Sequence, residues 1–280
     1  MVKYNFSNKT IVITGAGGVL CSSFAKELAK CGAKVALLDL NLDAAQAVAD
    51  EIVKTGGKAI AVKCNVLEKE SLVAAEKEVS DKLGEYHILI NGAGGNNARA
   101  NTTNEVYSDA DVENPNVASF FDLQSDGFKF VFDLNIIGTF LPTQVFAKKL
   151  VKVKGASIIN MASMSAPCPM TKVPAYSAAK AAIVNLTQWM AVHFANTGLR
   201  VNAIAPGFFE TNQNADLLRN KDGSLTDRSN KILTHTPQRR FGEVDDLFGP
   251  LLWLCDEDAS GFVTGTTVPV DGGFMAYSGV

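Results

Sequence analysis

Thr10–Leu40 reads TIVITGAGGVLCSSFAKELAKCGAKVALLDL. Its first five residues are apolar and rich in β-branched side chains, without polar alternation, as expected of a strand buried on both faces. A glycine-rich turn follows, and SSFAKELAKCG then repeats apolar positions at helical spacing until Gly32 stops it. KVALLD supplies a second buried strand that closes on Asp39. A strand, a glycine turn, a helix and a strand in this order form the first unit of a parallel α/β sheet.

The same rhythm continues outward. Further buried strands are expected at KAIAVKCNV near residue 58, HILIN near 87, ASIINMAS near 156, RVNAIAP near 200 and TTVPVDGG near 266, and DAAQAVADEIVKTGG gives a second amphipathic helix. The reading is α/β: a single-domain, Rossmann-type, doubly wound parallel sheet flanked by helices over residues 1–280, with no internal repeat. Two stretches break the pattern. Residues 96–126 are polar, acidic and aperiodic, too long for an ordinary connection, and suit an extended substrate loop or lid. Residues 208–241 form a second irregular stretch that could close over the same cleft.

Composition narrows the function classes. Among 280 residues, 47% are hydrophobic and 20% charged, with a formal net charge of −3 and no basic stripe, so nucleic acid is not an expected partner. The first residues lack an apolar leader pattern, and no run approaches about 18 uninterrupted apolar residues. A protein neither secreted by that route nor spanning a membrane is expected. The five cysteines are odd in number, scattered and never in a C-x-x-C pair, which favours reduced thiols in the cytoplasm. The three histidines are equally scattered, so no metal site is expected.

Chemistry enters at two places. Glycines in the turn after the first strand allow left-handed backbone and close approach to a pyrophosphate seated on a helix N-terminus. Asp39, ending the next strand, can accept hydrogen bonds from the ribose hydroxyls of NAD but would repel the 2′-phosphate of NADP, and neither Leu40 nor Asn41 offsets that charge. Farther on, PAYSAAKAAIVNL places Tyr176 and Lys180 one helical turn apart on a shared face. An ammonium about 4 Å from the phenol would lower its pKa by about 3 units, enough for acid–base work near neutrality.

These motifs together resemble the short-chain dehydrogenase/reductase family over nearly the whole chain: TGAGGVLC, Asp39, NVL at Asn65, NGAG at Asn91, DLNIIG around Asn135, INMASMSA around Ser163, YSAAK at Tyr176, PGFFET at Pro206 and VDGG at Asp271. The resemblance implies a catalytic tetrad of Asn135, Ser163, Tyr176 and Lys180. Ser163 would hold the substrate oxygen, Asn135 would anchor a water chain to Lys180, and Lys180 would also bind the nicotinamide ribose. Contacts to NAD(H) are implied for Gly15, Gly17, Gly18, Val19, Leu20, Asp39, Asn65, Val66, Asn91, Ala93, Gly94, Tyr176, Lys180, Pro206, Gly207, Phe209 and Thr211. The chain departs from the family pattern at Val19 and Cys21, where glycines are usual, at Asn65, where aspartate is frequent, and at Gly92, where asparagine is usual.

The long insertion, ILTHTPQRRFG and the terminal GGFMAYSGV resemble a narrower subgroup, the D-mannonate oxidoreductase (fructuronate reductase) type. That resemblance implies a sugar-acid substrate. Asn96, Arg99, Ser165 and Lys172 are the substrate candidates, and Arg239 and Arg240 are further cations able to meet a carboxylate. A neutral polyol, sugar or apolar carbonyl substrate, and a nucleotide-sensing regulatory protein that kept only the fold, are the alternatives. The family also implies a homo-oligomer, a tetramer, which the largely apolar helix AKAAIVNLTQWMAVHFA favours.

Overall fold

The computed structural model describes residues 4–210 and 218–279. Its centre is a seven-stranded, wholly parallel sheet in the order β3-β2-β1-β4-β5-β6-β7. The strands are β1 Thr10–Thr14, β2 Lys34–Asp39, β3 Lys58–Lys63, β4 Ile88–Asn91, β5 Ser157–Met161, β6 Arg200–Pro206 and β7 Thr267–Val270. All seven coincide with the runs expected from sequence, because β1, β4, β5 and nearly all of β6 are buried on both faces and are mainly apolar, with a few buried polar residues such as Asn91, Asn160 and Asn202.

Helices cover both faces. α1 (Val19–Lys30), α2 (Leu42–Lys54) and α8 (Phe248–Cys255) contribute Phe24, Leu28, Ile52 and Leu251 to one core, which Ile11 and Ile13 of β1 also enter. On the opposite face, α3 (Lys69–Leu83), α5 (Gly138–Leu150) and α6 (Pro174–His193) contribute Leu72, Val79, Phe146 and Met190 to a second core, which Val12 of the same strand enters. Successive β1 residues thus enter opposite cores, as the two-residue period of a strand requires.

Strand order reverses at β1, whose neighbours are β2 and β4, and in such sheets the crevice outside the carboxyl ends at this switch point holds ligands. Register brings the strand ends level: Thr14 pairs with Leu38 and Asn91, Asn91 with Asn160, and Met161 with Ile204. The loops that leave these ends carry nearly all the residues singled out from sequence.

α4 (Ser125–Phe132) runs through a π-helical turn, Asp133–Ile137, into α5. By length and composition this continuous helix of 26 residues could cross a membrane, with a mean hydropathy of 1.3. Half of that apolar window is buried within the protein, where Thr139, Thr143, Phe146 and Leu150 face the core, the packing of a central helix.

The two stretches without sequence periodicity contain local structure. The insertion folds into short turns at Ala98–Ala100, Ala110–Glu113 and Phe120–Asp122, the last closed by a reciprocal Ser119–Asp122 capping box. Its backbone is pinned where Gln124 N–H donates to Arg99 O at 3.0 Å and Thr102 N–H to Lys172 O at 3.0 Å. The second stretch holds α7 (Asp227–His235), capped by Thr226 accepting from Ser229 N–H. Only Ser229 and Ile232 of α7 are buried, too few for an apolar stripe legible in sequence.

Candidate active site

The glycine turn after β1 shapes the first half of the cleft. Gly15 has φ +65°, and a Cβ there would stand 2.8 Å from the Ala93 backbone, so the turn can lie against the β4 loop only as glycine. Gly17 N–H donates to Asp39 Oδ2 and Asn41 N–H to Asp39 Oδ1, each at 2.9 Å. The carboxylate is thereby aimed at the turn while each oxygen keeps a free lone pair. Gly18 caps α1, with no side chain bonded to the first helical N–H groups.

Two departures from the family pattern prove to be one exchange of volume. A Cβ on Gly92 would overlap Cys21 Sγ and stand 2.8 Å from Thr14 O. The thiol of Cys21 takes the space that a side chain at position 92 would need. Burial pushes that thiol up to about 12, so it stays protonated and acts as a small apolar group.

Asn135, fully buried on the π turn, donates Nδ2 to Gly95 O at 2.7 Å and Val131 O at 2.8 Å. Its Oδ1 has no hydrogen-bond partner among the described residues. That oxygen and the Lys180 ammonium both border Gly94, where a Cβ would lie 2.8 Å from Asn135 Oδ1 and 3.3 Å from Lys180 Nζ. Lys180 donates to Met161 O at 2.7 Å, and its burial lowers its pKa from 10.5 to about 8.

Ser163 Oγ accepts both the Ser165 N–H at 3.1 Å and the Ser165 hydroxyl at 3.0 Å. With both lone pairs engaged, its own proton is left to donate toward Tyr176, whose hydroxyl it hydrogen-bonds. The phenol itself departs from the sequence expectation. Burial raises its pKa in the ligand-free protein, with the Ser163 hydrogen bond acting in the lowering direction, and Lys180 contributes no lowering. The reason is geometric: Lys180 Nζ is 5.5 Å from the Tyr176 ring centroid and is directed at the Met161 carbonyl.

These groups share one cleft of about 370 Å³, lined by Gly15, Gly18, Val19, Leu20, Gly94, Ser163, Tyr176, Lys180, Pro206, Gly207 and Phe209 among others. Several expected site residues lie outside its lining, among them Asp39 and Gly17, which bond each other, and the buried Asn135. Asn91 is buried with Nδ2 bonded to Thr143 and Asn160, Asn65 bonds Glu68, Val66 is buried beyond β3, and Ala93 packs beneath Gly15. Thr211 lies outside the described residues.

The substrate candidates separate sharply. Ser165 is buried behind Ser163, whereas Asn96 is exposed and bonds Asn101. Arg99 is paired with Asp126, Arg240 with Asp246, and Arg239 donates to the Thr234 and Leu233 carbonyls, so these three cations are already engaged. Two of these cations line cavities beside the cleft: Arg240 borders one of about 320 Å³ that shares Phe208 and Phe209 with it, and Lys172 borders another, where it is joined by Arg228, Lys231 and His235 of α7. Sequence reasoning missed those three because it read 208–241 as irregular; Thr226, a helix-capping residue type placed just before Asp227, was the available signal.

A doubly wound sheet with a glycine turn at its switch point and a serine, tyrosine and lysine in one crevice defines a nucleotide-dependent oxidoreductase fold. The chain belongs to the short-chain dehydrogenase/reductase family: residues 18–275 match a family model described as enoyl-(acyl carrier protein) reductase. An uncharacterized oxidoreductase of Bacillus subtilis, UxuB, is 58% identical over 276 residues, 99% of this chain and 98% of that protein. A crystal structure from Haemophilus influenzae, provisionally assigned as a D-mannonate oxidoreductase and holding bound NAD, is 56% identical with a TM-score of 0.95, covering 99% of this chain and 98% of that one. A gluconate 5-dehydrogenase from Burkholderia cenocepacia, in complex with NADP and tartrate, is 27% identical with a TM-score of 0.83, covering 98% of both chains.

Proposed function

We propose that this protein is an NAD(H)-dependent oxidoreductase that interconverts a secondary alcohol and a ketone on a sugar acid of the D-mannonate/D-fructuronate type. The observation that carries the reading is the convergence of Ser163, Tyr176 and Lys180 on the cleft that Gly15 and Gly18 of the glycine turn also line, with Asp39 bonded to Gly17 of the same turn. A dinucleotide fits this cradle. Gly15, Gly17 and Gly18 leave no side chain over the helix N-terminus, and Asp39 retains acceptor capacity for ribose hydroxyls while opposing a 2′-phosphate. The Haemophilus relative with bound NAD and the gluconate 5-dehydrogenase support cofactor and substrate class in turn.

The bound cofactor would accept or supply the hydride, and the chain's residues would govern the proton. Ser163, fixed as a donor by Ser165, holds the substrate oxygen and strengthens its grip as negative charge develops there. Tyr176 takes the hydroxyl proton during oxidation and returns it during reduction. Lys180 favours the phenolate electrostatically once its ammonium is drawn away from the Met161 carbonyl, and the unpartnered Oδ1 of Asn135 offers an acceptor on the route by which that proton reaches solvent. The protein works as a homo-oligomer. Its five unpaired cysteines favour a reducing compartment, the cytoplasm.

Incubation with NAD and a panel of hexonates tests this reading directly. D-mannonate should give NADH and one equivalent of a keto acid. Tight NADH binding without turnover of any sugar acid or polyol would instead mark a nucleotide-sensing protein.

A further inference from the structure

Beside the reaction cleft, and sharing Phe208 with it, lies a second cavity of about 440 Å³. It is bounded by the loop before α6, by α7 and by Glu105 of the insertion, with Met170, Ile232 and Phe274 as apolar wall. Three cations converge here. Lys231 forms an ion pair with Glu105, while Lys172 and Arg228 act on the same carboxylate through space and their side chains have no hydrogen-bond or ion-pair partner among the described residues.

Three features set this cluster apart from an ordinary surface pair. One carboxylate faces three cations, and the other acid of the cavity, Asp227, sits in the first turn of α7, where the helix dipole favours its charge. Lys172 is held at φ +70°, one of two non-glycine residues with positive φ among the described residues, by the Thr102 N–H bonded to its carbonyl at 3.0 Å. Backbone strain of this kind gathers where a side chain must be aimed. The bridge also crosses between separate parts of the chain, since Glu105 belongs to the insertion and Lys231 to α7.

We propose that Lys172, Arg228 and Lys231 form the subsite for the substrate's carboxylate, and that Glu105 is an internal carboxylate that occupies this subsite until the substrate anion displaces it. The proposal rests on the sugar-acid reading above and adds the residues that select the acid. Displacement conserves charge pairing: an incoming carboxylate meets Lys231, and the two other cations, without any group being buried unpaired. It releases Glu105 to solvent and with it the tie between insertion and α7, so acid binding and loop position become coupled.

The test compares D-mannonate with D-mannitol, a neutral molecule of the same carbon chain. Binding of each to the NADH-loaded protein is measured by calorimetry, and turnover of each with NAD is measured in parallel. Lys231→Met and Arg228→Met should weaken D-mannonate binding by about tenfold or more and leave D-mannitol unchanged. Glu105→Gln should tighten D-mannonate by about threefold, again without effect on D-mannitol. A Glu105→Gln variant that binds D-mannonate more weakly would show that Glu105 only props up the cations, and losses equal for acid and polyol would remove the subsite; either result overturns the proposal. If the binding pattern holds without turnover, the subsite stands and the oxidoreductase reading falls. Turnover without charge discrimination removes the subsite and leaves the oxidoreductase reading standing.

Discussion

Lys180 shows the cost of placing a charge where chemistry needs it. Its folded-state pKa of about 8 lies below its ordinary 10.5, so between those values the unfolded chain holds the proton more strongly and stability rises with pH. At pH 7 the buried ammonium opposes folding. Lys180→Met should therefore make the cofactor-free protein about 2 kcal/mol more stable at pH 7, a gain that fades as pH approaches 10.5, while turnover collapses. Urea unfolding at the two pH values measures this, and a variant less stable than the parent at pH 7 would contradict it. The spacing of Tyr176 and Lys180 was legible in sequence because i and i+4 share a face. The direction of the Tyr176 shift was not, since it depends on burial and on Lys180 being turned to the Met161 carbonyl.

At the scale of elements, the turn after β1 and the loop after β4 were built as a matched pair. Cys21 and Gly92 read in sequence as two separate departures, because only the fold sets the α1 side chain against the β4 loop. Gly92→Ala should destabilise by about 2 kcal/mol or more, through overlap with the thiol and crowding of Thr14 O, and Cys21→Gly should recover part of that loss. A double-mutant cycle on thermal or urea unfolding should give a coupling of about 1 kcal/mol; strict additivity would mean that the two side chains do not compete. Asp39 belongs to the same assembly. Asp39→Ala should weaken NADH binding by about tenfold and erase the preference over NADPH, measured by fluorescence titration, whereas an unchanged preference would place the discrimination elsewhere. The central strands were legible because their short, β-branched apolar runs alternate with helical patterns, the order that a helix-covered parallel sheet requires, and the more exposed edge strands β3 and β7 followed from the same alternation. α7 was hidden by its polarity, and with it Arg228 and Lys231.

Across the whole molecule, apolar side chains remain in solvent on the helices beside the crevice. Trp189 and Val192 of α6 are 58% and 80% exposed, and Phe130 and Phe140 flank the π turn. Such exposure on helices that also pack the core predicts association of copies. Light scattering at micromolar concentration should give a multiple of the chain mass, reduced by Val192→Asp; a monomer would contradict this. In the proposed function, Tyr176 moves the proton that accompanies hydride transfer between a sugar acid and NAD. The most direct measurement is NADH formation from D-mannonate by the parent protein and by Tyr176→Phe, with NADH binding to both as control. The parent should turn over and the variant should lose about a thousandfold in kcat while binding NADH as tightly. Undiminished turnover in Tyr176→Phe would contradict the account.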